Sequence, residues 1–156
     1  MKPVGFEIRQ DDLSGDATRA LLALHLARIH ANSPPGSVFA LDLSGLRVPE
    51  VTVWTVWHRD EVIGVGALKE LGDGGGELKS MRTHPDHLRQ GVAARLLDHT
   101  IGEARRRGLT HLSLETGSGP AFEPALALYR KHGFVDGDAF SDYEPSAFNR
   151  FLHLPL

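Results

Sequence analysis

The chain contains no cysteine among its 156 residues. Disulfide bonds, thiolate zinc sites and cysteine nucleophiles are therefore excluded. Long apolar runs are also missing, because the most apolar stretch, residues 20–27, is interrupted by His25 and is too short to span a bilayer. Residues 1–7 lack the apolar segment of a secretory signal. We therefore expect a cytoplasmic protein with no membrane partner.

An excess of positive charge is missing as well. Lys plus Arg number 17 and Asp plus Glu 20, which gives a net charge of −3. This balance disfavours a nucleic-acid partner, because affinity for nucleic acids comes largely from neutralising phosphates. Nine histidines are present, but only His84 and His87 are close in sequence and no third ligand lies near them, so we expect no metal site. The length and the 41% hydrophobic content predict one domain over residues 1–156.

The apolar pattern along the chain alternates between strand and helix periods. It predicts strands at residues 6–9, 51–57, 62–68, 77–83 and 111–115, strand material at 134–135 and 148–154, and helices from Ser14, from about 92 to 107 and from about 124 to 132. For the first helix, Ser14 is the predicted N-cap, and Ala17, Leu21, Leu24 and Ile29 share one face. We expect an α+β fold: a mixed, mostly antiparallel sheet with helices on both faces.

The segment from Thr83 to Ala94 is a strand end, a polar turn and a helix that opens with Gly91 and Ala93. This geometry points successive free backbone N–H groups at one spot in front of the positive helix end, which suits a pyrophosphate. By itself it is also typical of an ordinary helix start. A Walker loop needs Gly-Lys-Ser/Thr and a dinucleotide fingerprint needs three glycines, and neither pattern occurs here.

Together with Leu-Tyr-Arg-Lys-His-Gly-Phe at 128–134, this segment resembles the GCN5-related N-acetyltransferase (GNAT) family. The strand at 77–83, the His84-Pro85 turn and the Gly91-x-Ala93 helix start match that family's acetyl-coenzyme A signature, and residues 128–134 match its second signature. The order of elements agrees over nearly the whole chain. The resemblance implies an acetyl-CoA-dependent enzyme that transfers an acetyl group directly to a primary amine of a small molecule, amino acid or peptide.

The resemblance also implies how acetyl-CoA is held. Backbone groups of Met81 and Thr83 would bind the pantetheine arm as an added strand would. Tyr129 would lie beside the sulfur and protonate the departing thiolate. The backbone amides at the helix start would hold the pyrophosphate; they belong to Arg89, Gln90, Gly91, Val92, Ala93 and Ala94.

Two positions depart from the family pattern. Leu88 stands where the family usually has Arg or Gln, and Arg89 could supply the missing charge. Phe122 stands where many members have Asn, so its contact with the cofactor would be replaced by packing.

Two carboxylates are candidates for the catalytic base. Glu77 precedes Gly91 by the spacing at which histone-type relatives carry their catalytic glutamate, and Glu115 resembles the position used by bacterial ribosomal-protein acetyltransferases. A buried or apolar setting can raise a carboxylate pKa towards neutrality, so either residue could take the amine proton through water. The spacing favours Glu77 as the base and leaves Glu115 as an anchor for the substrate ammonium.

Other functions remain open at this level. The transferase could use another acyl group or an oxygen acceptor, or the chain could be an acyl-CoA sensor that binds without turnover. Residues 31–48 and 140–143 are predicted to form the substrate walls, but they carry no readable code for the acceptor. A homodimer is compatible with the sequence, although no residue pattern indicates it.

Overall fold

The structure is a computed structural model that describes residues 5–38 and 41–156. Its elements in chain order are β1 (Glu7–Asp11), α1 (Asp16–Ala31), α2 (Leu43–Leu46), β2 (Val51–His58), β3 (Glu61–Glu70), β4 (Gly75–Thr83), a short 3-10 turn (Pro85–His87), α3 (Val92–Arg106), β5 (His111–Thr116), α4 (Glu123–Lys131), β6 (Val135–Asp136) and β7 (Arg150–Pro155). Each predicted element is present with shifted ends. Within the described ranges, no helix has the length and apolar character needed to cross a membrane.

The seven strands form one sheet in the order β1-β2-β3-β4-β5-β7-β6. All neighbouring strands are antiparallel except β4 and β5, which run parallel. The predicted α+β class with a mixed, mostly antiparallel sheet is therefore confirmed. Short turns join β2 to β3 and β3 to β4, whereas the parallel pair needs a crossover, and α3 provides it.

Helices cover both faces of the sheet, as predicted. One hydrophobic cluster joins α3 and α4 to the strands through residues such as Leu97, Leu114 and Phe134. A second cluster joins α1 and α2 to the opposite face through Leu21, Leu46 and Val65. Because successive strand residues point to opposite faces, neighbouring positions in β2 and β3 contribute to different clusters. The sheet therefore has an α1 face and an α3 face.

The start and the buried face of α1 differ from the prediction. The helix begins after Gly15, and the Ser14 hydroxyl donates to the Asp12 carboxylate at 2.6 Å instead of capping the helix. The buried positions are Thr18, Leu21, Leu22 and His25 rather than the predicted Ala17, Leu21, Leu24 and Ile29. A tertiary contact accounts for the difference: Thr18 donates to the carboxylate of Asp11 at 2.9 Å and thereby turns this face towards the sheet.

The strands β4 and β5 separate after a short parallel contact. They pair only from Gly75 to Glu77 on β4 and from His111 to Ser113 on β5. Further along, the register between β3 and β4 shifts by one residue near Ser80, which has a positive φ of 56°. Such a β-bulge bends a strand and interrupts its ladder. The result is an open gap between the C-terminal halves of β4 and β5.

Candidate active site

The gap between β4 and β5 is the floor of a cleft of about 180 Å³. α1 lies along one side of this cleft and α4 along the other. Five of the residues predicted from the sequence line it together: Glu77, Met81, Glu115, Phe122 and Tyr129. Thr83 and residues 89–94 lie beyond this lining, where β4 leads into α3.

The carboxylate of Glu77 is buried and already has two partners. Lys79 Nζ donates to Glu77 Oε2 at 3.2 Å, and the Tyr143 hydroxyl donates to the same oxygen. Lys79 Nζ also donates to the Tyr143 hydroxyl oxygen at 2.7 Å. The three side chains are therefore all hydrogen-bonded to one another. Burial, followed by the carboxylate of Glu77, raises the pKa of Tyr143 well above its usual value, so this phenol stays protonated.

Glu115 lies on the opposite wall in a different setting. Its carboxylate accepts a hydrogen bond from the Asn149 side-chain amide at 2.9 Å, a donor that carries no charge. Burial is the main cause that raises its pKa to about 7; Lys79 opposes the shift and Glu77 adds to it. At neutral pH, Glu115 is therefore divided between a protonated and an ionised form, as an acid–base catalyst requires.

Tyr129 extends from α4 into the cleft. Only 9% of the residue is exposed, and its ring packs edge-on against Phe134 with the ring centroids 5.9 Å apart. Burial raises the pKa of Tyr129 to about 12, although the positive charge of Arg82 works in the opposite direction. Its hydroxyl makes no hydrogen bond to the described residues, and the raised pKa keeps it protonated at neutral pH.

Two arginines and a histidine line the α1 side of the cleft. Arg82 Nε donates to His25 Nδ1 at 3.1 Å, and Arg28 lies one helical turn beyond His25 on α1. Burial, together with the positive charge of Arg82, lowers the pKa of His25 to about 4. His25 is therefore neutral and accepts the hydrogen bond without adding charge.

The start of α3 leaves several backbone N–H groups without an acceptor in the helix. Gly91 is the N-cap residue and has a φ of 82°, in the left-handed region that glycine adopts most readily. Arg89 also has a positive φ, of 62°, which tightens the turn before the helix. The N–H groups of Val92, Ala93 and Ala94 belong to the first helical turn, where no residue of the same helix can accept them.

Phe122 and Leu88, which depart from the family pattern, have different surroundings. Phe122 is buried at the start of α4 and packs edge-on against Phe148, with centroids 5.5 Å apart. Leu88 is 58% exposed on the turn before α3. Of the predicted substrate walls, Asn32, Ser33 and Ser37 line the cleft, whereas Phe39 and Ala40 lie outside the described residues.

Several residues of the site were not singled out from the sequence. Arg82, His25 and Asn149 acquire their places through contacts between distant segments, and Lys79 contacts Tyr143, which is 64 residues away. The sequence placed Tyr143 only in a predicted substrate wall, whereas its hydroxyl donates a hydrogen bond to Glu77. One usable signal existed, because Lys79 follows Glu77 by two residues and must share its face of the strand.

Comparison with known proteins identifies the class to which this fold and cleft belong. Residues 18–134 match the model of the Acetyltransferase (GNAT) family. The chain is a member of the GNAT family, as its motifs indicated. Its relatives support an acetyltransferase enzyme over the sensor that the sequence left open.

Two curated relatives are similar over most of their length. The uncharacterized N-acetyltransferase YedL of Escherichia coli (strain K12) is 48% identical over 151 residues, covering 97% of this chain and 95% of YedL. The uncharacterized N-acetyltransferase YsnE of Bacillus subtilis (strain 168) is 51% identical over 136 residues, covering 87% of this chain and 90% of YsnE.

Solved structures support the same fold. A Klebsiella pneumoniae protein assigned as an acyl-CoA N-acyltransferase superposes with a TM-score of 0.82 at 29% identity, covering 97% of both chains. A Bacillus subtilis acetyltransferase solved in complex with CoA superposes with a TM-score of 0.72 at 20% identity, covering 97% of this chain and 99% of its own.

Proposed function

We propose that this protein transfers the acetyl group of acetyl-CoA directly to a primary amine while both substrates are bound. The observation that carries the proposal is that one cleft holds a carboxyl with a pKa of about 7, Glu115, and a protonated phenol, Tyr129. Direct transfer needs one group that removes a proton from the amine and another that supplies a proton to the sulfur. The two side chains supply both.

Glu115 is the proposed general base. It accepts the amine proton, and the neutral nitrogen then attacks the thioester carbonyl carbon. Glu115 suits this step better than Glu77, because the charge of Glu77 is already paired with Lys79 at 3.2 Å. The proposed division of roles therefore reverses the order that the sequence spacing favours, and the prediction that Glu77 is the base stays as the alternative.

Tyr129 is the proposed general acid. When the carbon–sulfur bond breaks, the electron pair stays on sulfur, and the Tyr129 hydroxyl gives its proton to the thiolate. Its raised pKa keeps the proton in place until negative charge develops on sulfur. The nearby positive charge of Arg82 favours the phenolate that remains, which is then reprotonated by water.

The cofactor lies between the separated strands in this proposal. The backbone of Met81 and Thr83 binds the pantetheine arm along the edge of β4, which β5 leaves open beyond Glu77. The amides from Arg89 to Ala94 hold the pyrophosphate at the positive end of α3. Phe122, buried beside the cleft, packs against the arm.

Glu77, Lys79 and Tyr143 act as positioning residues in this proposal. Their network joins β4 to the loop between β6 and β7 through a contact 66 residues apart in sequence. It therefore holds that loop over the acceptor end of the cleft. The buried Lys79 also offsets the charge of Glu77, so that the carboxylate left for the incoming amine is that of Glu115.

The test is an assay of free-thiol release from acetyl-CoA with a panel of primary amines. We expect release above the hydrolysis background for some amines and none for matched alcohols. Propionyl-CoA in parallel measures the preference for the acyl group. A protein that binds acetyl-CoA, detected as a rise in Tm, but releases thiol with no amine would contradict the proposal.

A further inference from the structure

Two guanidinium groups line the α1 side of the cleft without a counter-ion. Arg82 projects from β4 and Arg28 from α1, and within residues 5–38 and 41–156 neither forms an ion pair with a carboxylate. Burial, followed by the positive charge of Arg28, lowers the pKa of Arg82. The protein thus places two like charges near each other in a partly buried cleft, an arrangement that an anion would stabilise.

The orientation of Arg82 suits a bidentate ligand. Its Nε is occupied by His25, and its two terminal nitrogens make no hydrogen bond to the described residues. His25 is neutral and buried, so it orients the guanidinium without neutralising it. A planar guanidinium whose terminal nitrogens are available matches the two oxygens of a carboxylate.

The cleft carries charges of opposite sign on different walls. Glu115 lies on the β5 wall, and the guanidinium pair lies on the β4 and α1 side. Glu77 pairs with Ser113, so Glu115 lies about level with Lys79, and Arg82 is three residues further along β4, at most about 10 Å on a strand. A molecule with an ammonium group and a carboxylate complements this arrangement.

We propose that Arg28 and Arg82 bind a carboxylate of the acceptor, so that the substrate is an amine that also carries a carboxylate, such as an amino acid or a short peptide. This inference rests on the proposed function and specifies its substrate class. The phosphates of CoA are the other anions available. Arg82, however, lies near Tyr129 and therefore near the proposed sulfur position, whereas the proposed phosphate site is at the start of α3.

The experiment measures binding separately from turnover. The protein saturated with CoA is titrated with L-amino acids, β-alanine and glycine dipeptides, each paired with its carboxamide, and Tm and Kd are recorded. We expect at least one acid to bind tenfold or more tightly than its amide. Arg82→Gln and Arg28→Gln should remove that difference. Arg105→Gln, which deletes an exposed arginine of α3 outside the cleft, should preserve it.

The inference is overturned if acids and amides bind alike, if no acid binds, or if the two variants weaken CoA binding and leave the acid–amide difference intact. An equal loss of kcat with acids and amides in Arg28→Gln would also overturn it, since that arginine would then serve the reaction itself rather than the carboxylate. If acids bind as expected but no acetyl group is transferred, the proposed function fails while the carboxylate site stands. Should Arg82→Gln not fold, Arg28→Gln on the exposed part of α1 decides the question.

Discussion

Each of the two walls of the cleft carries one glutamate, but the two carboxylates have different hydrogen-bond partners. On the β4 wall, Glu77 accepts hydrogen bonds from Lys79 and Tyr143. On the β5 wall, the hydrogen-bond donor to Glu115 among the described residues is the uncharged amide of Asn149, and the pKa of Glu115 is raised to about 7. The partners of a carboxylate, rather than its spacing from a motif, therefore decide whether it can exchange protons near neutral pH.

Local sequence explains part of this difference. Residues two apart on a strand share one face, so Lys79 necessarily lies beside Glu77. The corresponding neighbour of Glu115 is Ser113, whose hydroxyl is within 2.8 Å of His153 Nδ1. No cation is therefore supplied to Glu115 by its own strand. The pKa of Glu115 is raised because burial outweighs the opposing charge of Lys79 on the facing strand.

The largest expected effect comes from removing the base on the β5 wall. Glu115→Gln should lower kcat/KM by about 10³-fold, within the range for a positioned general base. In the unmodified protein, the rate should fall about tenfold per pH unit below a pKa of about 7, because only the ionised carboxylate accepts a proton. The variant should lose this rising limb, as a pH–rate profile would record.

Glu77→Gln is the matched variant on the β4 wall. It should keep the rising limb near pH 7 and change mainly KM. If Glu77→Gln abolishes the limb and Glu115→Gln preserves it, the roles are the reverse of those proposed.

The pH dependence of stability tests the raised pKa of Glu115 independently of enzyme activity. Its pKa is raised on folding from 4.5 to about 7, so the native state holds the proton more tightly than the unfolded chain. Its contribution to stability is complete below pH 4.5 and is lost as the pH rises through about 7. Urea unfolding should therefore show Glu115→Gln stabilised relative to the original protein by roughly 2 kcal/mol at pH 8, and by much less at pH 4.

The next largest effect tests the proton donor on the α4 side. Tyr129→Phe keeps the ring that packs on Phe134 and removes only the hydroxyl. We expect kcat and kcat/KM to fall together by about 10²-fold, since the proton is needed only as charge develops on sulfur. The Kd of acetyl-CoA, measured by calorimetry, should be unchanged. Undiminished kcat with a good acceptor would exclude the role.

A smaller effect is expected from the network on the β4 wall. Tyr143→Phe removes the hydroxyl bound to Glu77, while the ring contact with Phe140, at 5.1 Å between centroids, can remain. A hydrogen bond to a charged group contributes about 1.5–3 kcal/mol, so we expect KM for the amine to rise at least about tenfold with kcat nearly kept. If kcat falls instead and the limb near pH 7 disappears, the network takes part in proton transfer.

The smallest effect concerns the start of α3. Gly91→Ala should lower stability by about 1–2 kcal/mol, because a φ of 82° strains any residue with a Cβ, although no atom lies within 4 Å of that position. The Gly91→Ala variant should also bind CoA more weakly. Gly102→Ala, in the interior of the same helix with equally open surroundings, should instead stabilise by about 0.5–1 kcal/mol. Thermal unfolding with and without CoA compares the two.

Much of the fold was predictable because its signals are local. The buried face of α3 consists of apolar residues at helical spacing, Val92, Leu96, Leu97, Ile101 and Ala104. Gly108 and Gly133 follow the ends of α3 and α4 with positive φ, as helix-terminating glycines do. The first helix was misjudged because its rotation depends on Asp11, whose carboxylate binds Thr18 and Thr55 across the sheet.

By itself the sequence determined the family, the strand and helix pattern and the glycine turn at the start of α3, since each depends on residues close along the chain. Tertiary structure alone decided which side chains from distant segments meet. Tyr143 reaches Glu77 across 66 residues, Arg82 reaches His25 across 57, and Asn149 reaches Glu115 across 34. Contacts between such distant residues leave no periodicity in the sequence, and burial depends on the whole fold. The proton affinity of Glu115 and the meeting of Arg28 and Arg82 in one cleft are therefore properties of the folded chain.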